Sequence, residues 1–344
     1  MKSLVSGAAG FIGSSVVRAI LEDGDEVRAM VYPGEVLKNI EDLDLEVIEG
    51  DMMDRASVDR AMYGCERVYQ LAAVFAYWHP QGRDYIVRTN EEGTRNVLAA
   101  ARDAGVSRVV YASSVACVSF RKGGLATEDD YPEPHEYRRM PYRESKIRSE
   151  KVAVEFFGKG LPVVIVNPTA PIGVRDIRPT PTGRTILDFL KGKMFAYVDA
   201  GLNFIDVEDV AGAFVTAMHR GRPGERYILG NVNTNLKDYF ELIAEITGMD
   251  PPRWRMPKTP LRVMAEINEA VSNLTGKEPM AAVEAAIHTT EDEYVSCEKA
   301  VRELSLKQED IRVAIRKAVM WYLDNSYVDE ETTRAVRENL EAHE

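Results

Sequence analysis

Three observations predict an α/β protein built on a doubly wound parallel sheet. A short apolar run opens the chain and meets three glycines and a helix, strand and helix patterns then alternate, and helical patterning follows. The opening stretch organises the rest. Leu4 and Val5 run into Ser6-Gly7-Ala8-Ala9-Gly10-Phe11-Ile12-Gly13, and Phe11 to Leu21 is amphipathic. Strand, tight turn and helix in that order form a dinucleotide cradle. Gly7 allows the turn, Gly10 lets the backbone approach a pyrophosphate, and Gly13 lets the helix close on the strand. Ala9, Phe11 and Ile12 belong to the same turn, and the helix N-terminus offers free N–H groups and a positive dipole end.

Glu26 to Val31 reads as the second strand, ending at Val31-Tyr32-Pro33. That end has neither the acid that binds the adenosine ribose of NAD nor the arginine that receives the extra phosphate of NADP. The missing carboxylate tips the reading toward NADP over NAD, with Tyr32 and Lys38 as phosphate contacts, although an ordinary strand end explains the residues equally. Leu45 to Ile48 is the third strand. Asp51, beside Met52, either caps the helix carrying Val58 to Met62 or hydrogen-bonds the adenine amine. Arg67 to Leu71 forms a fourth strand running into Ala72-Ala73, small residues beside which a ribose or pyrophosphate can lie close. Asn90-Glu91-Glu92-Gly93-Thr94 opens a long helix through Ala104, and Arg108 to Ala112 is a fifth strand ending in Ser113-Ser114.

Phe120 to Met140 is a polar loop long enough to cover a site. Tyr142 and Lys146 then lie one turn apart on a helix reaching about Phe157. A tyrosine, whose ordinary pKa is about 10, needs a neighbouring cation to serve as acid or base at neutrality, and this spacing supplies one. Alone, the pair reads as a solvated helix face. Val163 to Val166 is a sixth strand ending in Asn167-Pro168-Thr169. Arg175, Arg178 and Arg184 follow, either binding an acidic substrate or pairing with surface carboxylates, with a helix from Thr185 to Leu190. Asn203 to Asp206 and Arg226 to Leu229 return as strands around a helix from Val207 to Met218. From Thr234 the pattern is helical, broken at Pro251-Pro252 and Pro257, and Asp329 to Glu344 is a charged, solvated helix.

The expected organisation is a Rossmann-type dinucleotide-binding domain over residues 1–168, rejoined by 203–230. A smaller, mainly helical substrate-binding lobe takes 169–202 and 231–328, with a charged helical tail at 329–344. The net charge of −12 over 344 residues, with no strongly basic stretch, argues against nucleic acid or an anionic membrane as partner. Cys65, Cys117 and Cys297 are odd in number and widely spaced, suggesting neither a disulfide framework nor a metal site and fitting a reducing compartment. No charged leader with an apolar core opens the chain and no apolar run reaches about eighteen residues, so a cytoplasmic location is expected.

With Ser114, Tyr142 and Lys146 following the glycine cradle in this order, the chain resembles the extended short-chain dehydrogenase/reductase family, also called the NAD-dependent epimerase/dehydratase family. The resemblance runs nearly end to end through S-G-A-A-G-F-I-G, Gly50-Asp51, Leu71-Ala72-Ala73, Asn90 to Thr94, Y-A-S-S-V, Y-x-x-x-K and Asn167-Pro168. It is strongest to dihydroflavonol-reductase-like members and, from Leu161 to Gly230, to hopanoid-associated sugar-epimerase-like proteins. It implies that Tyr142 is the general acid in carbonyl reduction or the base in alcohol oxidation. Ser114, with Ser113 the alternative, would hydrogen-bond the same oxygen, and Lys146 would hold the nicotinamide ribose and lower the Tyr142 pKa.

Departures from the family pattern narrow the reaction. The Asp-Glu pair of the 4,6-dehydratases is Val115-Ala116 here, Leu202 occupies the place of the epimerases' diphosphate arginine, and Thr289 to Tyr294 contains no second one. The leading reading is an NAD(P)-dependent oxidoreductase acting on a carbonyl or secondary alcohol of a small substrate. The alternative is a nucleotide-sugar epimerase with tightly retained NAD, and a cofactor-sensing protein without turnover is the third. The resemblance also implies a homodimer through the helices beginning at Glu91 and Tyr142, with Val97, Ala99 and Ala100 as candidate contacts or as residues facing the sheet.

Overall fold

Parallel strands need crossovers, and this chain supplies them as helices. The computed structural model describes residues 1–342. Its first half runs β1 (Lys2–Ser6), α1 (Phe11–Glu22), β2 (Glu26–Val31), β3 (Glu46–Glu49), α2 (Arg55–Met62), β4 (Arg67–Gln70), α3 (Arg83–Asp103) and β5 (Arg108–Ala112). A single 3-10 turn (Val115–Cys117), α4 (Pro134–Tyr137), α5 (Pro141–Gly158) and β6 (Val163–Pro168) follow. Then come β7 (Ala170–Ile172), α6 (Pro181–Leu190), β8 (Ala196–Val198), β9 (Gly201–Asp206), α7 (Val207–Arg220), β10 (Arg226–Leu229), β11 (Val232–Asn235) and α8 (Leu236–Thr247). The chain continues through β12 (Trp254–Met256), α9 (Lys258–Thr275), α10 (Val283–His288), β13 (Asp292–Glu293), α11 (Glu298–Leu304), α12 (Ile311–Asp324) and α13 (Glu330–Ala342).

Seven strands form one parallel sheet in the order β10-β6-β5-β4-β1-β2-β3. The chain winds outward in both directions from β1 and β4, so a crevice opens beyond their carboxyl ends, the place where such sheets bind ligands. Burial on both faces explains why the central strands are continuous apolar runs. All six residues of β6, Val163 to Pro168, are buried. One face is covered by α1, which buries Val16, Val17 and Ile20, together with α7 and α11. The other is covered by α2, α3 and α5 through Val58, Val97, Leu98 and Val152. Each such fully buried aliphatic side chain contributes roughly 1.5–3 kcal/mol.

The C-terminal portion packs a separate apolar cluster among α6, β9, α8, α12 and α13, with Phe204 stacked on Tyr239 at 4.0 Å between ring centres. Short strands join here: β9 pairs with β11, β13 and β7, and β12 pairs with β8. The purely helical pattern expected after Thr234 is therefore interrupted by β11, β12 and β13. At two to four residues these strands are too short to carry an alternating pattern, and edges far away in sequence fix them. The long third helix starts at Arg83, after Gly82 with φ 85°, rather than at Asn90. Asn90 is instead buried in mid-helix. The C-terminal helix forms as expected but is not simply solvated, because Val336 and Leu340 are buried and α13 packs on α8. His343 and Glu344, the end of the expected tail, lie outside the described residues. No helix among the described residues is long and apolar enough to cross a membrane.

Candidate active site

A cleft of about 1270 Å³ opens at the carboxyl ends of β1 and β4 and extends into the C-terminal portion. Its floor is the glycine turn. Gly7 has φ 67°, and both Gly7 N and Ala8 N donate to the Met30 carbonyl. A Cβ on Gly7 would meet the Ala72 backbone at 3.0 Å, and one on Gly13 would meet the Gly7 carbonyl oxygen at 2.0 Å. Gly10 caps α1 with no side chain over its first turn. Glycine is thus required for close approach at Gly7 and Gly13, and the open helix N-terminus fits a dinucleotide pyrophosphate.

Sixteen of the residues expected to form the site line this one cleft: Gly7, Gly10, Phe11, Ile12, Gly13, Tyr32, Asp51, Met52, Leu71, Ala72, Ala73, Ser114, Tyr142, Lys146, Pro168 and Thr169. Three do not. Ala9 is buried beneath the turn, its carbonyl accepting from Asn39 Nδ2. Asn167 is buried and donates to the Ser114 carbonyl at 2.9 Å and to Glu150 at 2.8 Å, so it supports the serine from below. Lys38 requires a correction: its Nζ lies outside the cleft and donates to Asn325 Oδ1 at 2.8 Å. Glu35, which the sequence reading passed over, lines the cleft instead and accepts from Tyr32 N. Capping of α2 falls to Asp54, and the Asp51 carboxylate turns to Met53 N.

The two candidate serines separate cleanly. Ser113 Oγ donates to Glu150 Oε2 at 2.5 Å, and Glu150 also pairs with the buried Arg226 at 3.1 Å, a platform that ties β5, β6 and β10 together. Ser114 Oγ accepts from Ala116 N at 3.1 Å and hydrogen-bonds Tyr142. Lys146 Nζ donates to the Ala112 carbonyl at 2.7 Å. Burial lowers the Lys146 pKa to about 8, against the raising pull of Cys117 and Glu150. Burial also raises the Tyr142 phenol above its ordinary value; the Ser114 hydrogen bond opposes this, and Cys117 and Glu284 add to it. The expected lowering of Tyr142 by Lys146 is not among the influences on the phenol, the Lys146 ammonium being turned to the Ala112 carbonyl, and desolvation keeps Tyr142 protonated at neutral pH.

Sequence reasoning missed the wall facing Tyr142. Phe75 packs edge-on against the Tyr142 ring at 4.7 Å, Tyr77 does so at 6.0 Å, and Tyr77 also lies against His288 at 5.6 Å. Asn90 brings this loop into place, bonding both N and O of Val74 and, through Nδ2, Ser145 Oγ on α5. The only sequence signal was the aromatic density of Phe75 to Trp78. Deeper in the cleft the lining mixes apolar residues, including Met194, Tyr197, Leu202, Phe204 and Phe240, with the polar Thr180, Thr182, Thr185 and Asn203. Of the three arginines, only Arg178 lines it; Arg175 bonds Ser15 and Glu208, and Arg184 acts on the buried Asp176 carboxyl. No group of three or more metal-binding side chains is gathered among the described residues.

Residues 3–230 match the sequence profile of the NAD dependent epimerase/dehydratase family. The chain belongs to that family. It is 37% identical over 328 residues to a putative dihydroflavonol 4-reductase of Synechocystis sp., covering 94% of this chain and 95% of that one. The crystal structure of gox2253 superposes with a TM-score of 0.84 at 36% identity, over 95% of this chain and 99% of the other. A nucleoside-diphosphate-sugar epimerase from Pseudomonas aeruginosa, PA4631, gives 0.80 at 26% identity, over 96% and 99%. This member of the epimerase/dehydratase family is an NAD(P)-dependent oxidoreductase with a Rossmann-type sheet and a helical C-terminal portion.

Proposed function

We propose that the enzyme reduces a carbonyl on a small, largely apolar substrate, with Tyr142 as proton donor, Ser114 as hydrogen-bond partner of the same oxygen and Lys146 on the nicotinamide ribose. The observation that carries this reading is a half-buried, protonated Tyr142 beside Ser114, in a cleft whose far side carries many apolar and aromatic side chains. The dinucleotide supplies the hydride when bound. Tyr142 gives its proton to the oxygen as negative charge develops there, and Ser114 steadies that charge. The names of the relatives support reduction. Val115 and Ala116 line the cleft where a dehydratase needs an acid and a base, and Leu202 lines it where a nucleotide-sugar epimerase needs an arginine.

Replacing Tyr142 with Phe is expected to cut turnover by about 10²–10⁴-fold with cofactor affinity retained; undiminished turnover refutes the assignment. The epimerase reading predicts about one NAD per chain released on denaturing protein purified without added cofactor, whereas a reductase emerges empty.

For the cofactor, we infer that NAD binds at least as well as NADP. Glu35, in the turn four residues past β2, offers a carboxylate to the adenosine ribose, and Lys38, the cation on which the NADP reading leaned, is engaged by Asn325. Fluorescence titration with NADH and NADPH tests this. We also propose a cytoplasmic homodimer. Its free cysteines Cys65, Cys117 and Cys297 are all buried and suit a reducing compartment. Val97 and Ala100 are spent in the chain's own core, which leaves the half-buried Ala99 on α3 and the exposed Val154 on α5 as apolar contacts. Light scattering showing a monomer counts against it.

A further inference from the structure

We infer that Glu284, held against His288, is a positioning residue for Tyr142: it clamps the first turn of α5 from the C-terminal portion and governs how readily the phenol releases its proton. This inference rests on the reading of Tyr142 as the acid/base.

Glu284 on α10 is fully buried. Its Oε2 accepts from Tyr142 N and its Oε1 from Arg143 N, both at 2.8 Å. The residue preceding α5, Met140, makes no capping bond, so two of the orphan N–H groups of the catalytic helix are satisfied from a distant element. Behind Glu284 lies His288, one turn along α10, with Nε2 3.6 Å from Glu284 Oε1 and Nδ1 hydrogen-bonded to Glu293 of β13. Burial opposes a charge on His288, but Glu293 and Glu284 overcome it and push the imidazole up to about 10. The three side chains therefore form a Glu284–His288–Glu293 row behind the reacting phenol, with the imidazole protonated at neutral pH.

A plain helix cap has no need of this row. A serine or asparagine would satisfy the same N–H groups without the desolvation cost of a buried ion pair. What a carboxylate adds is charge, and it adds it where it opposes the phenolate. The groups acting on or packed against Tyr142 are Ser114 and Cys117 beyond β5, Tyr77 from the loop after β4 and Glu284 on α10, while Lys146 on its own helix, His288 on α10 and Glu293 on β13 line the same cleft. Glu284 weights this set toward the protonated phenol, the form a reductase must present to its substrate.

The test uses the full chain with its nicotinamide cofactor bound and tyrosine labelled with ¹³C at Cζ, the Tyr142 signal being assigned by its loss in Y142F. Glu284→Gln is expected to lower the Tyr142 titration midpoint by about one unit or more and to slow reduction of a simple carbonyl probe, benzaldehyde, roughly tenfold. Glu284→Asp, which keeps the charge, should restore most of both. An unchanged midpoint overturns the inference, whether or not the rate falls, because a rate loss alone is what a merely structural cap gives. If Glu284→Gln does not fold, His288→Gln keeps both N–H bonds to Glu284 while removing the cation. It should hold Tyr142 protonated to higher pH than in the wild type, and no change there also overturns the inference. Full turnover in Y142F would instead sink the acid/base reading, with the Glu284 titration still readable on its own.

Discussion

Gly13→Ala isolates the demand that the cofactor cradle makes on the sequence. The added Cβ would stand 2.0 Å from the Gly7 carbonyl oxygen and 2.9 Å from its carbon, where ordinary contact begins at 3.4 Å. Helix and turn must therefore part by about 1.4 Å. The turn has little freedom to yield: Gly7 N donates to Met30 O and Gly7 O accepts from Gly10 N, each at 3.1 Å. Overpacking against backbone costs about 3 kcal/mol, which for a chain of 344 residues lowers Tm by about 4 °C. Displacing the N–H groups by about an ångström should weaken cofactor binding by about 10²-fold. Circular dichroism melting and fluorescence titration with NADH and NADPH measure the two effects. A variant with Tm within about 1 °C of wild type and Kd within about twofold would refute the reasoning. Gly212→Ala is the matched control. Gly212 lies exposed in mid-α7, a Cβ there meets nothing within 4 Å, and the substitution should raise stability by about 0.5–1 kcal/mol.

Further outcomes follow from the buried polar groups. Glu150→Gln should destabilise the protein by about 3 kcal/mol, read as a lower urea midpoint, because it leaves the buried Arg226 guanidinium without a countercharge; an unshifted midpoint contradicts the platform described under Ser113. Burial pushes the Asp176 carboxyl up to about 6 from 3.8, against hydrogen bonds from Thr180 and Tyr322. The folded state thus holds that proton to higher pH than the unfolded chain, a contribution complete below about pH 3.8 and lost as pH rises through about 6. Asp176→Asn should therefore flatten the stability profile between those values, and a parallel profile would refute it. Tyr239→Phe removes a buried hydroxyl with no partner among the described residues and should leave Tm unchanged or raise it by a few degrees; a marked fall would mean that the hydroxyl is satisfied.

What could be read from the sequence was what neighbours in the chain decide. The glycine turn is set within thirteen residues by local sterics, and the Tyr142 and Lys146 spacing by one turn of helix. The central strands β1, β5 and β6 announced themselves as apolar runs of sheet buried on both faces. Reading stopped where distance in sequence began to matter. Lys38 had the right offset from β2 but the wrong direction, because its partner, Asn325, comes 287 residues later. Val97 and Ala100 looked like contacts for another chain because a helix with two apolar sides does not say which is inner. Glu284, His288 and Glu293 belong to no motif, and their meaning appears only once α10 is laid against α5.

That arrangement also has a timetable. Glu284 follows Tyr142 by 142 residues, so at a synthesis rate of about 5–20 residues per second it emerges roughly 7–30 s after the tyrosine does. During that interval the glycine cradle and the strands around it are already made, while the first turn of the catalytic helix still waits for its clamp. The nascent chain completes its glycine cradle before the clamp on Tyr142, and the first turn of α5 is held only once α10 has emerged.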